Sequence, residues 1–414
     1  MSRTSIAKLE ALARKPSRRI IGLMSGTSLD GLDIACCDIT GSGTATRITL
    51  IQFTTTPYPD SVKAQIRKVF AQRVVDFQRV CLLNPWLAQV HARYILDALQ
   101  AWDMKPEEID LIASHGQTVY HAPRALHQIE GGPNGTLQIG DGDHLAVDTG
   151  IITLSDFRQK HCAAGGEGAP LALYGDYLVF TKEGEQRLML NMGGIANFTY
   201  LPGTPDPSAV YVTDTGPGNT LIDAAARHFF QQEYDKDALL AGQGKVHEPL
   251  LEILKADPFF AAPFPKTTGP ELFHLEYVER ALSAAGATSI DPHDLLATLT
   301  RFSAETIAEA IHSVLPTNTA SAANTASAAN TPNIANTPKI YMSGGGAHNP
   351  LLTTWLQQLL PSIEFHNTDE LGIPGDAKEA ILFAILANET IAGEPIHFNK
   401  PGMPAITMGK ISLP

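Results

Sequence analysis

The chain has 414 residues, 44% of them hydrophobic and 18% charged, with a formal net charge of −13. That length admits two domains of ordinary size, each with its own core. The acidic balance argues against nucleic acid or an anionic membrane as the main partner, so an anionic ligand must find backbone donors, a metal ion or a few placed cations.

No apolar run reaches the length of a membrane span, and the basic first 19 residues lack the apolar segment of a secretory signal. A cytoplasmic protein is expected, with a short helix or frayed tail over 1–18. Cys36, Cys37, Cys81 and Cys162 match no zinc spacing and read as buried reduced thiols.

From residue 19, β-rich segments over about 19–24, 32–40 and 47–55 predict an antiparallel meander. Its first turn carries Gly26, Thr27, Ser28, Leu29, Asp30 and Gly31, followed by Leu32 and Asp33. Gly26 and Gly31 would let backbone N–H groups approach a polyanion, with hydroxyl donors beside them. Asp30 and Asp33 are spaced to hold a hydrated divalent cation. A hairpin with a polar turn fits the same residues. Helical periodicity follows over 61–72 and 77–101, then a strand over 110–114 leads into His115-Gly116-Gln117. An apolar run over 150–154 leads to Asp156-Phe157-Arg158, and the composition turns Gly-rich around Glu167.

A second β-rich block opens near 186, with strands on both sides of Gly193-Gly194 and a third over 211–214. Asp214, Gly216, Gly218 and Asn219 form a strand-to-helix turn that could face an anion. Helices over 247–256, 271–285 and 294–315 follow, then a strand at 339–343 ending in Gly344, Gly345 and Gly346. Three positions without side chains permit a flat ligand, or tight packing, against the backbone. A helix over 349–360, a strand near 362–366 and a helix over 376–391 close the pattern. Residues 318–338 repeat with period six and read as a flexible surface insertion. Two blocks that each open with antiparallel strands and continue as α/β predict a duplicated fold, with Gly-rich turns facing across a cleft.

The three Gly-rich loops, in this order, resemble the phosphate and adenosine motifs of the actin/hexokinase-type ATPase superfamily. In detail the chain resembles the anhydro-N-acetylmuramic acid kinase family, through Met24–Gly31, His115–Thr118, Asp156–Arg158, Gly165–Pro170, Asn191–Asn197, Asp214–Asn219, Gly344–Asn349 and Gly375–Ala380. The resemblance implies two ribonuclease-H-like domains around a nucleotide and sugar cleft, the first over 19–155 plus 370–414 and the second over 156–369. It implies ATP and Mg²⁺ as cofactors, a small anhydrosugar as substrate, and it admits a homodimer. Water would attack the anomeric carbon as the anhydro bridge opens, and the freed O6 would take the γ-phosphoryl group.

By that resemblance Gly26–Asp33 and Asp214–Asn219 hold phosphates, Asp30 and Asp33 hold Mg²⁺ directly or through water, and Gly344–Gly346 lie against adenosine. His115, Gln117, Arg158 and Glu167 would line the sugar site, and Glu379 would act near it. The departure is at the base, where the family pattern has Asp and this chain has His161. Three readings stand open: His161 is the base, another carboxylate such as Asp156 substitutes, or the activity is lost or redirected. The last allows a kinase for another anhydrosugar, or an inactive nucleotide and sugar sensor.

Overall fold

A computed structural model of the protein describes residues 3–269, 272–315 and 337–414. The repeat insertion expected over 318–338 lies outside the described residues except for its last two. The strands are β1 (Ser17–Ser25), β2 (Gly31–Thr40), β3 (Arg47–Pro57), β4 (Leu111–Ala122), β5 (Gly135–Ile139) and β6 (Thr153–Ser155). They continue with β7 (Arg187–Met192), β8 (Ile195–Leu201), β9 (Tyr211–Pro217), β10 (Lys339–Ser343), β11 (Glu364–Asn367) and β12 (Lys410–Ser412).

Two compact units result, one of Met1–Phe180, Asp206–Ala209 and Gly372–Pro414, the other of Thr181–Pro205 and Val210–Leu371. In the first, the sheet order is β12-β6-β4-β1-β2-β3, with β5 paired to the end of β4. β1, β2 and β3 are antiparallel, β4 is parallel to β1, and β6 is parallel to β4. In the second, the order is β11-β10-β7-β8-β9, with β7 to β9 antiparallel and β10 and β11 parallel to β7. Each sheet thus repeats one plan: a three-stranded meander whose first strand continues into two parallel neighbours. This is the ribonuclease-H-like arrangement, and it bears out the expected duplication.

The boundary expected after 155 falls after 180 instead. Helix Ala172–Phe180 is apolar on nearly every side and must be enclosed. It is enclosed within the first unit, where Tyr174 stacks edge-on against Phe398. Helix Phe157–Ala163 joins it there through Phe157 against Phe383. Of the two readings of the N-terminal segment, the short helix holds. It spans Arg3–Arg14, and its Leu12 is buried. Just after it, the buried Arg18 donates to Asn388 Oδ1 at 2.7 Å and to the Gly41 carbonyl at 3.1 Å. Cys36 and Cys37 are buried as expected, whereas Cys81 is exposed. Among the described residues, no helix is long and apolar enough to cross a membrane.

The first unit's sheet packs Ile21, Leu23 and Ile34 against Leu83, Leu87, Val90 and Ile95 of helix Phe77–Ala101. Helix Lys378–Ala392 also packs on β1. A Cβ at Gly22 would run into the carbonyl of Ala380, so this glycine sets how closely the helix's first turn, with Glu379, approaches the sheet. In the second unit Leu190, Phe198 and Ile340 meet Ile307 and Ile311 of helix Pro292–Val314. Gly22→Ala is expected to cost about 1–3 kcal/mol through overpacking. Urea denaturation checks this, and an unchanged midpoint would contradict it.

Candidate active site

β1 ends at Ser25 and β2 begins at Gly31, leaving a short loop between two paired strands. Leu29 adopts φ 60° and its N–H closes the turn on the Gly26 carbonyl at 3.3 Å. Leu29 and Leu32 are buried in the core, so their side chains anchor the loop rather than face a ligand. Thr27, Ser28 and Asp30 are exposed. The nearest atom to a Cβ built on Gly26 would be Ser28 Oγ at 3.6 Å, leaving the space above the loop open. Gly31 serves packing instead, because a Cβ there would strike the Thr56 carbonyl.

Asp33 is half-buried and accepts from the Thr55 hydroxyl at 2.6 Å. Burial raises its carboxyl pKa, and the charges of Asp376 and Asp30 raise it further. A hydrated divalent cation would relieve that repulsion, so these residues fit Mg²⁺. Among the described residues no three His, Cys, Asp or Glu side chains converge on a metal position. A cation here would therefore need water and phosphoryl oxygens to complete its shell.

β4 is longer than expected, and His115 and Gln117 are strand residues with buried side chains, 4% and 0% exposed. They do not line an open sugar site. His115 Nδ1–H donates to the Gly116 carbonyl at 2.8 Å, and its Nε2 accepts from Arg158 Nε–H at 2.8 Å. Burial and Arg158 push its pKa down to about 3, which keeps it a neutral acceptor. Arg158 also donates to the Gly168 carbonyl at 2.8 Å. Burial lowers the guanidinium pKa, and the charge of Glu379 opposes that shift.

His161 is fully buried, edge-on to Tyr174, and its Nδ1 accepts from the Gly168 N–H at 2.9 Å. Burial, then Arg158, lowers its pKa to about 4. A neutral imidazole whose Nδ1 accepts must carry its hydrogen on Nε2. In this arrangement the lone pair of Nδ1 is taken by Gly168, and the Nε2 hydrogen has no hydrogen-bond partner. Asp156, the alternative carboxylate, pairs with Lys410 at 3.9 Å.

Glu379 keeps solvent-exposed atoms, yet the surrounding protein excludes enough water to raise its carboxyl pKa. Asp33 adds to that rise, while Arg158 and Lys378 oppose it. Glu167 is exposed on the Gly-rich loop.

In the second unit the loop after β9 differs from expectation. The Gly218 and Asn219 N–H groups donate to the Gly194 and Gly193 carbonyls at 2.8 Å each, and Thr220 donates to Gly194 at 3.1 Å. These donors are satisfied internally, and a Cβ at Gly218 would strike Gly193. Gly216, at φ 133°, packs under Phe260. Asp214 accepts from the Thr268 N–H at 2.8 Å and ties down that loop. Asn219 does not cap the following helix; its Nδ2 donates to the Met192 carbonyl at 3.1 Å.

Asn219 and Gly345, with Ile222, Asp223, Tyr234 and Asn349, line a cavity of about 480 Å³, a usual size for a small-molecule site. Gly344 and Gly346 pack on Met192, leaving Gly345 as the one of the three that borders the cavity. Burial raises the Asp223 carboxyl pKa to about 6. Sequence reasoning missed the cavity residue Asp223 and assigned no role to Asp376. Asp223, one turn into a helix, gives no local signal, whereas Asp376 lies three residues before Glu379.

A family model described as anhydro-N-acetylmuramic acid kinase matches residues 18–401. The chain is 52% identical over 413 residues to the anhydro-N-acetylmuramic acid kinase of Pseudoalteromonas atlantica, covering 99% of each protein. It is 48% identical to that of Pseudoalteromonas translucida, over 99% of this chain and 98% of the relative. Identity is 36% to that of Caldanaerobacter subterraneus, over 98% of this chain and the whole relative.

The buried histidines make stability depend on pH. His91 and His115 fall to about 3 and His161 to about 4, from 6.5 in the unfolded chain. Unfolding below 6.5 therefore takes up protons, and stability present above that pH is lost as pH falls toward 4. Each ring contributes at most about 1.4 kcal/mol per pH unit. Urea titrations from pH 7 to 5 should show falling stability, with a shallower slope in His161→Gln. Equal slopes would contradict the buried neutral ring.

Proposed function

The chain belongs to the anhydro-N-acetylmuramic acid kinase family, and on that premise we propose that it uses ATP and water to open 1,6-anhydro-N-acetylmuramic acid and phosphorylate the freed O6. The observation that carries this reading is Arg158, held by His115 and the Gly168 carbonyl and electrostatically coupled to Glu379. A guanidinium fixed in this way suits a substrate carboxylate, which the lactyl group of this sugar supplies. The kinase for another anhydrosugar and the inactive sensor are not favoured, because the relatives carry the one kinase name over nearly their whole length.

In this reading Glu379, rather than His161, takes a proton from the attacking water. Its raised pKa makes it a stronger base than an ordinary carboxylate. The water oxygen bonds to the anomeric carbon, the bond from that carbon to O6 breaks, and O6 bonds to the γ-phosphorus as ADP leaves. The loop over Gly26–Asp30 steadies phosphoryl oxygens with its N–H groups. Asp30 and Asp33 would hold Mg²⁺, whose charge offsets that of the transferred group. The cavity beside Asn219 and Gly345 would take the adenosine. An ATP-dependent reaction of this kind suits the cytoplasm.

Purified protein with Mg-ATP and the anhydrosugar should form ADP in equal amount to sugar consumed, with phosphorus coupled to the C6 protons of the product. ADP release that ignores the sugar, or none at all, would overturn the reading.

Glu379→Gln should lower kcat by about 10²–10⁴-fold. Because the base must be ionised, the wild-type rate should fall as pH drops through a carboxyl pKa above 4.5, a limb absent from the variant. His161→Gln, which keeps a donor and an acceptor, should stay within about tenfold of wild type. The reverse ranking would return the base to His161.

A further inference from the structure

Beneath the loop over Gly26–Asp30 runs a line of buried polar groups that the proposed chemistry does not use. His91 lies in the interior of helix Phe77–Ala101, fully buried, with Nε2 at 2.6 Å from the Tyr58 hydroxyl. Tyr58, also buried, donates to Ser25 Oγ at 2.9 Å, and Ser25 donates to Gln117 Oε1 at 2.5 Å. Gln117 Nε2 then donates to the carbonyls of Gly26 at 3.1 Å and Thr118 at 3.2 Å.

Each hydroxyl owns one hydrogen. With the Tyr58 hydrogen on Ser25 and the Ser25 hydrogen on Gln117, the His91 Nε2 must carry the hydrogen that Tyr58 accepts. His91 Nδ1 has no hydrogen-bond partner, in keeping with that tautomer. The chain of bonds therefore runs one way, from His91 to Gly26. The Gln117 amide cannot turn over without breaking bonds at both of its ends.

The last link sets a peptide. The Gly26 carbonyl faces inward, accepting from Gln117 and from the Leu29 N–H. In a planar trans peptide the N–H that follows points the opposite way. The Thr27 N–H accordingly points out of the core, beside the open face of Gly26. We propose that His91, Tyr58, Ser25 and Gln117 are positioning residues: their relay turns the Gly26–Thr27 peptide so that Thr27 N–H meets a phosphoryl oxygen of ATP. This rests on the reading of the loop as a phosphate site. Stability alone does not call for the relay, since apolar groups of the same shape can replace a buried polar network at little cost. A donor fixed before the ligand arrives needs no reorganisation when charge develops.

The test compares wild type, Tyr58→Phe and Ser25→Ala. Steady-state kinetics are run with ATP and sugar varied separately, melting is recorded for each protein, and the Thr27 amide is followed by NMR. In wild type, Mg²⁺ with a non-hydrolysable ATP analogue should shift the Thr27 amide downfield. Tyr58→Phe should raise KM for ATP about tenfold, the effect of one lost buried hydrogen bond, and reduce that shift. KM for the sugar should stay within about twofold. Ser25→Ala should behave alike and serves if Tyr58→Phe does not fold.

A folded variant with unchanged KM for ATP overturns the relay, even if its melting temperature drops. A wild-type Thr27 amide that ignores the nucleotide overturns the phosphate-site reading itself, and the two failures are distinguishable.

Discussion

The backbone of Gly168 is gripped from both sides, its carbonyl by Arg158 and its N–H by His161. The state of the candidate site follows from that grip. Arg158 is fixed because Gly168 and the neutral His115 both accept from it. His161 carries its hydrogen on Nε2 because its Nδ1 accepts from the Gly168 N–H. A carboxylate at that position, as in the family pattern, could accept from the same N–H and still keep an oxygen free. An imidazole cannot. In the proposed mechanism the proton-accepting task therefore falls to Glu379.

That carboxylate is prepared by its surroundings. Glu379 stands on a helix whose approach to β1 is set by the missing side chain at Gly22. Crowding and the charge of Asp33 raise its basicity, while Arg158 keeps it from becoming a neutral acid at too high a pH. Asp30, Asp33 and Asp376 add negative charge of their own to a chain of net charge −13, so in the proposed function the nucleotide is met by backbone donors and a cation rather than by a basic patch. The same economy governs the buried line under the loop, where neutral groups orient one peptide.

Much of the fold was legible because it rests on local periodicity. The alternating strands and helices of both units announce themselves, and helix Phe77–Ala101 spans the residues its pattern indicates. What stayed hidden depends on distant partners. Helix Ala172–Phe180 joins the first unit because Tyr174 packs on Phe398, more than two hundred positions later, and no local pattern carries that. His115 and Gln117 read as loop residues because β4 continues past the turn-like Gly116. Gly26 and Gly345 border open space, whereas Gly31, Gly218, Gly344 and Gly346 are forced by packing, yet all look alike in sequence. A missing side chain marks close approach without telling whether a ligand or the protein itself approaches.

The hydrogen on His161 carries the central claim, and nitrogen-15 NMR of the imidazole ring reads it directly. The account requires a protonated Nε2 and a bare Nδ1 throughout pH 5 to 8, with titration only near 4. A hydrogen on Nδ1, or a ring that titrates near 6.5, would contradict it and restore His161 as the group that accepts the proton from water.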